Sequence, residues 1–227
     1  MAAPTLIYCA GGNPVMAKIA IDAGFMYGSQ IPETIHWPIY FADQDWQKPD
    51  KDIYISGLKE HRPTMATVLD WEQSEQLPEV LSWAEAAAAY VETVVIIPKV
   101  QGGIIRLPRT IAGAKVRLGY SVPTKYAGTE LPLWEFIGWP IHLLGGSPQK
   151  QIELSKYLDV RSADGNMANK MAVRHCQYWV NGTARYASNR WWPTLKEANN
   201  GTNWEGENAH YEAFRRSCEN IFKAWNR

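Results

Sequence analysis

Eight short apolar runs predict a (β/α)8 TIM-like barrel followed by a C-terminal helical, aromatic-rich extension. The runs recur about every 15–30 residues, with helix or turn signals between them, the alternation expected of a parallel sheet. Polar or glycine-bearing residues stand where the runs stop, and in parallel α/β architecture the C-terminal strand ends are where ligands bind. Eight units favour closure, at the small end of the barrel size range. A doubly wound open sheet is the alternative, because the helices after the second, fifth and sixth runs are weakly signalled. The barrel is assigned to residues 1–179 and the extension, packing on it, to residues 180–227.

The first run, Leu6 to Ala10, ends in Gly11-Gly12-Asn13-Pro14, and Pro14 opens a helix to about Ala23 with Gly24 as its cap. A short strand follows from Phe25 to Ser29, then a third from Trp37 to Ala42, ending on Asp43-Gln44-Asp45-Trp46. Lys51 to Glu60 reads as a helix with Ile53, Ile55 and Leu58 on its apolar side. Met65 to Leu69 is the fourth strand. Pro78 then begins a helix whose face carries Val80, Leu81, Ala84, Ala88 and Val91.

The most β-branched run, Thr93 to Pro98, is the fifth strand and ends at Lys99-Val100-Gln101-Gly102-Gly103. Leu107-Pro108 would open a short helix within an irregular stretch. Val116 to Tyr120 is the sixth strand, and Leu131 to Phe136 a brief helix. Pro140 to Leu144 and Val160 to Ala163 are the seventh and eighth strands, joined by Gly145-Gly146-Ser147-Pro148 and an amphipathic helix from Gln149 to Leu158. Met167 to Trp179 closes the barrel as a helix. In the extension, Glu207 to Trp225 carries an apolar face of Tyr211, Phe214, Cys218, Ile221, Phe222 and Trp225. Trp191, Trp192 and Trp204, with Arg185 and Arg190, also belong to this mildly basic tail.

Composition narrows the function classes. Lysine plus arginine equals aspartate plus glutamate, 23 each, so no chain-wide field draws a polyanion, and any such partner needs a local patch. Three dispersed cysteines, Cys9, Cys176 and Cys218, suit neither a disulfide framework nor a zinc site, so no metal is expected. The GxGxxG fingerprint is missing, and no cofactor is expected. No signal peptide or apolar run near the ~20 residues of a membrane span is present, which predicts a cytoplasmic protein, or one in the host cytoplasm if phage-encoded.

The predicted mouth collects carboxylates from several strand ends: Asp43 and Asp45, Asp70 and Glu72, and Asp164 beside Asn166. Lys99, Gln101, Ser121 and the Gly145-Gly146-Ser147 turn join them. Converging carboxylates suit acid–base or nucleophilic chemistry at a sugar carbon. A strand-end aspartate serves equally well as a helix cap or turn former. The glycines would bind a phosphate through backbone N–H groups, let a base approach closely, or form a plain turn. His142, within a strand, reads as core or as support for the site.

Taken in strand order, these ends resemble the tRNA-guanine transglycosylase superfamily, with its phage and bacterial relatives that modify DNA. The resemblance rests on Asp43 in YFADQ, Asp70 in MATVLDWE, Gln101-Gly102-Gly103, HLLGGSP, and Asp164 in VRSADGN, across about 170 residues. The chain lacks that superfamily's C-terminal Cys/His zinc cluster and is shorter, and LGYSVPT lacks its glycine-rich sixth-strand motif. The resemblance implies exchange of guanine for a 7-deazaguanine in nucleic acid, DNA favoured over tRNA. Asp164 would be the nucleophile and Asp43 the general acid or base. Asp70 would read the purine edge, Gln101 and Gly145-Gly146 would line the base pocket, and Trp71 or Tyr120 would stack on the base. Its partners would be DNA or tRNA and a free purine or 7-deazaguanine base. Two other readings stay open: a nucleosidase or glycoside hydrolase using the same carboxylates, and a non-catalytic nucleic-acid-binding or assembly protein.

Overall fold

The computed structural model describes residues 3–10, 12–124, 128–182, 192–198 and 208–226. The chain runs β1 (Thr5–Cys9), α1 (Pro14–Asp22), β2 (Met26–Ile31), β3 (Phe41–Gln44), α2 (Lys51–His61) and β4 (Met65–Thr67). It continues with α3 (Leu77–Ala88), β5 (Thr93–Ile96), β6 (Thr110–Ile111), β7 (Ala114–Ser121), β8 (Pro140–Leu144), α4 (Pro148–Leu154) and β9 (Asp159–Asp164). Last come α5 (Met167–His175), α6 (Leu195–Ala198) and α7 (Ala209–Trp225). Eight strands pair in parallel in the order β5-β4-β3-β2-β1-β9-β8-β7, and β5 pairs with β7, so the sheet closes on itself. The expected barrel is the fold, and the open sheet is excluded.

Closure separates two apolar regions. Ile7, Phe41, Met65, Val95 and Ile97 fill the barrel interior, while the larger core lies between the strands and the outer helices. Gly119 on β7 makes room at the centre: a Cβ there would lie 2.6 Å from Ile97 Cγ1 and 2.7 Å from Leu144 Cδ1. The barrel interior is therefore plugged by side chains up to its C-terminal strand ends.

Local chemistry explains the helix starts. The Asn13 side chain accepts from the Val15 and Met16 N–H groups ahead of α1, Asp50 accepts from Ile53 N ahead of α2, and Ser147 accepts from Lys150 N ahead of α4. Proline in the first turn of α1, α3 and α4 removes a donor that had no partner there.

Several boundaries differ from expectation. β3 begins at Phe41 rather than Trp37, because Pro38 has no amide hydrogen to offer a ladder. No helix opens at Leu107-Pro108. A single 3-10 turn, Ile104–Arg106, leads instead to β6, which forms an antiparallel hairpin with β7. Ala112 and Gly113, both at positive φ, supply the two-residue turn. On α2 the buried residues are Tyr54 and Leu58, and Ile53 faces solvent. α4 is shorter than the expected Gln149–Leu158 and stops at Leu154.

α5 ends at His175 instead of Trp179. Cys176 turns left-handed and its N–H returns to Ala172 O. The chain beyond is tied to α7, where Ser217 Oγ accepts from Trp179 N (2.8 Å) and Asn220 Nδ2 donates to Trp179 O (2.8 Å). α7 packs on α1 and α5 through Ala213, Phe214, Cys218 and Ile221, with the Phe214 ring 5.2 Å from that of Tyr8. Trp192 is buried and Trp225 half-buried, and no ring stacks on either among the described residues. Gly11, Arg185, Arg190, Trp191 and Trp204 lie outside the described residues.

Candidate active site

A cavity of about 380 Å³ opens at the C-terminal mouth between β1, β2, β3 and β9, lined by Cys9, Ala10, Gln30, Glu33, Asp43, Trp46, Asp164 and Asn166. Alternation along the strands delivers these side chains. Phe41 points into the barrel, so Asp43, two residues on, points the same way one layer higher. On β9 the phase is reset by a bulge. Ile141 pairs with Val160 but His142 with Ser162, so Arg161 is an extra residue. Ser162 is thereby set opposite His142, with Asp164 two residues further towards the mouth.

Asp43 is held by β4. Thr67 Oγ1 donates to Asp43 Oδ1 (2.8 Å) and accepts from Gln44 N (2.9 Å), while Tyr54 Oη donates to Thr67 O (2.8 Å). Burial pushes the Asp43 carboxyl up to about 7, and the nearby Asp164 and Asp70 charges add to the rise against the Thr67 and Gln44 hydrogen bonds. At neutral pH it stands at the balance between acid and base. Burial, with Asp164, Asp43 and Glu33 around it, also raises the Cys9 thiol well above its ordinary range, so the sulfur stays protonated.

Asp164 is tied to the glycine turn. Gly145 N donates to its Oδ1 (3.2 Å), and Gln151 Nε2 bridges Asp164 O (2.6 Å) and Gly145 O (2.8 Å), which binds the strand end to the glycine turn. His142 Nε2 lies 3.4 Å from the same Oδ1, fully buried and without a hydrogen-bond partner. A buried polar atom left unpaired costs about 1–3 kcal/mol, which marks this ring as more than filler. Gly145 and Gly146 both take positive φ, and a Cβ on Gly146 would lie 2.4 Å from Val122 Cγ1. Their turn sets the Asp164 carboxylate, whereas Ser147 is spent as the α4 cap.

The remaining expected residues sit elsewhere around the mouth. Lys99 Nζ bridges Asp70 Oδ2 (2.8 Å) and Glu72 Oε1 (2.7 Å). Burial raises the Asp70 carboxyl, and Lys99 only partly offsets it. Burial lowers the Lys99 ammonium, but the two carboxylates outweigh that and leave it above its usual value. Trp71 is fully buried, its indole N–H donating to Gln73 O (2.8 Å) and its ring against Gly103, so neither face is offered to a base. Tyr120 is likewise core, edge-on to Phe136 at 5.0 Å. The expected stacking role of both is corrected by that burial. Gln101 is exposed on a turn whose Gly102 N donates to Glu135 Oε2 (2.9 Å). Ser121 is half-buried at the end of β7, its backbone paired with Thr129. Asp45 forms a turn, accepting from Gln47 N and Lys48 N.

Four cavity residues carry no motif in the sequence: Cys9, Gln30, Glu33 and Trp46. Inward phase on β1 and β2 is the signal that finds Cys9 and Gln30, which follow Ile7 and Gly28 at a spacing of two. Trp46, 65% exposed at the rim, is the aromatic face available to a ligand. Among the described residues, no group of three or more His, Cys, Asp or Glu side chains could hold a metal ion. No helix of the described residues is long and apolar enough to cross a membrane.

A family model described as a family of unknown function (DUF6610) matches residues 20–226. The chain belongs to this family. That span holds β2 to β9 and every cavity residue except Cys9 and Ala10. No curated protein matches the chain.

Proposed function

We propose that the protein is a glycosyl-transferring enzyme that exchanges a purine base on a pentose, with Asp164 as nucleophile and Asp43 as general acid and base. The observation that carries this reading is the pair itself. Two carboxylates share one cavity, one accepting from the Gly145 N–H and the other raised to about 7 by burial and by its neighbour. Environments that push paired carboxyls apart divide them into an acid and a base.

In the first step an Asp164 carboxylate oxygen attacks the anomeric carbon. The C–N glycosidic bond breaks, its electron pair leaves with the base, and neutral Asp43 protonates the departing nitrogen. A glycosyl ester on Asp164 results. In the second step ionised Asp43 takes a proton from the incoming base, whose nitrogen attacks the same carbon and releases Asp164. Glu33 adds a third carboxylate facing the cavity, which favours the positive character a sugar ring develops in the transition state. Trp46 supplies the stacking face. Asp70 contacts the purine edge by exchanging Lys99 for the N–H groups of the base.

The order of strand-end motifs supports a 7-deazaguanine as incoming base and nucleic acid, DNA before tRNA, as substrate. A base within a duplex must first be flipped out. A second reading, hydrolysis of a small nucleoside, draws on the cavity volume of about 380 Å³, within the range of small-molecule sites. Incubation with labelled guanine or 7-deazaguanine and DNA or tRNA separates the two. Base exchange incorporates label, whereas hydrolysis, with water as the acceptor, yields free base and sugar and incorporates none. Asp164→Ala should abolish covalent trapping of the glycosyl group, and full retained activity would sink the assignment.

A further inference from the structure

Beneath the nucleophile lies a chain of polar side chains inside an otherwise apolar barrel. Arg117 on β7 donates from Nη1 to Ser162 Oγ on β9 (2.7 Å), and Ser162 Oγ lies 2.7 Å from His142 Nδ1 on β8. His142 Nε2 faces Asp164 Oδ1 at 3.4 Å. Ser162 and His142 are fully buried, and the Phe41 ring packs on the imidazole at 4.8 Å.

Donor arithmetic sets the direction of the chain. Arg117 has only hydrogens to give, so Ser162 Oγ accepts from it and keeps one hydroxyl hydrogen for another partner. The alternative acceptor, Met65 Sδ, is weak and 3.9 Å away. The hydroxyl therefore donates to His142 Nδ1, and the ring proton resides on Nε2, towards Asp164. The Arg117 guanidinium has Ser162 Oγ and Met65 Sδ as its side-chain partners among the described residues.

The geometry points to His142 as a positioning residue for Asp164: Arg117 and Ser162 set its tautomer, and its Nε2–H acts with Gly145 N–H on Oδ1, leaving Oδ2 as the attacking atom. This assignment rests on the proposed glycosyl transfer for its catalytic consequence, but the tautomer stands apart from any substrate. Among the described residues Oδ2 has no hydrogen-bond partner. In the free protein the Nε2–Oδ1 contact is loose, and such contacts tighten when substrate draws the carboxylate into its reacting position.

The test joins two readouts. Long-range proton–nitrogen NMR on the full chain labelled with ¹⁵N-histidine, with His142→Gln identifying the signal, reads the tautomer without substrate. The expected result is a bare Nδ1 and a protonated Nε2. A ring protonated at Nδ1, alone or together with Nε2, overturns the proposal. Ser162→Ala should release the tautomer and slow covalent trapping on Asp164 by up to about 100-fold with little change in KM, the scale of loss when a reacting group is misplaced by an ångström. Ser162→Thr, which keeps the hydroxyl, should restore both readouts. Unchanged trapping in Ser162→Ala alongside a switched tautomer overturns the positioning role. If the wild-type protein traps no glycosyl group at all, the proposed chemistry fails, and the tautomer in wild type and in Ser162→Ala still decides the relay.

Discussion

Asp43→Asn should stabilise the protein while disabling it, and the gain should depend on pH in a way few other substitutions would imitate. The amide matches the neutral carboxyl in shape and keeps an acceptor for Thr67 Oγ1, but it never ionises. The wild-type carboxyl is raised from 3.8 to about 7, because burial and Asp164 disfavour its charge. Below the unfolded value both states hold the proton, and wild type and variant are equally stable. As pH rises from about 4 to about 7 the unfolded state ionises first, and the folded wild type loses ground. Three pK units at about 1.36 kcal/mol each set an upper limit of about 4 kcal/mol, lessened by water in the cavity that screens the charge. Paired urea titrations between pH 4 and pH 8.5 measure this. The curves should coincide at the acid end, diverge towards neutrality, and run parallel above about pH 7. A difference constant over the whole range would show that Asp43 does not carry the strained charge. Cleavage by wild type should fall as pH passes through about 7, as the acid is lost.

Other expectations bear on the mouth and its supports. Gly146→Ala places a methyl 2.4 Å from Val122 Cγ1 at a backbone φ of +77°, and should lower stability by about 1–3 kcal/mol in chemical denaturation, part of it recovered by adding Val122→Ala. Trp46→Ala should leave Tm nearly unchanged, since the indole is 65% exposed, yet raise KM for a base or nucleoside by the equivalent of about 1–3 kcal/mol; an unaltered KM would remove Trp46 from the ligand surface.

The barrel was legible because its signal is repeated. Each unit announces itself by an apolar run and a polar stop, and an error in one, such as the missed hairpin at Thr110–Ile111, does not disturb the other seven. The ends of β3 and β9 were legible for the same reason, and Asp43 and Asp164 do meet in one cavity. What sequence spacing misjudged was orientation. Trp71 follows Asp70 directly, and adjacent side chains on extended backbone point to opposite sides, so Trp71 went into the core. Asp45 follows the same logic two residues beyond Asp43, where the chain has already left the strand and the carboxylate is used up by a turn. The His142–Ser162 contact was beyond reach, because it depends on a bulge at Arg161 that shifts the register by one residue, and nothing in the local composition announces it.

That bulge links the fold to the division of labour between the two aspartates. Without it the β9 side chains would keep the phase of Val160, which lies on the outer side with the larger core, and Ala163 rather than Asp164 would face the mouth. With it, Asp164 arrives where the Gly145 N–H and the His142 ring converge, whereas Asp43 arrives in a buried position where Thr67 Oγ1 and the Gln44 backbone hydrogen-bond it. Burial and the neighbouring Asp164 charge outweigh those two hydrogen bonds and favour a retained proton on Asp43. The asymmetry is a property of strands and not of the aspartates themselves. Moving a donor towards Asp43 should therefore erode its acid role. Cys9→Ser offers such a donor, and it should lower the pH at which Asp43 titrates, read by carboxyl ¹³C chemical shift; a midpoint still near 7 would mean that the hydroxyl turns elsewhere and that burial alone governs the group.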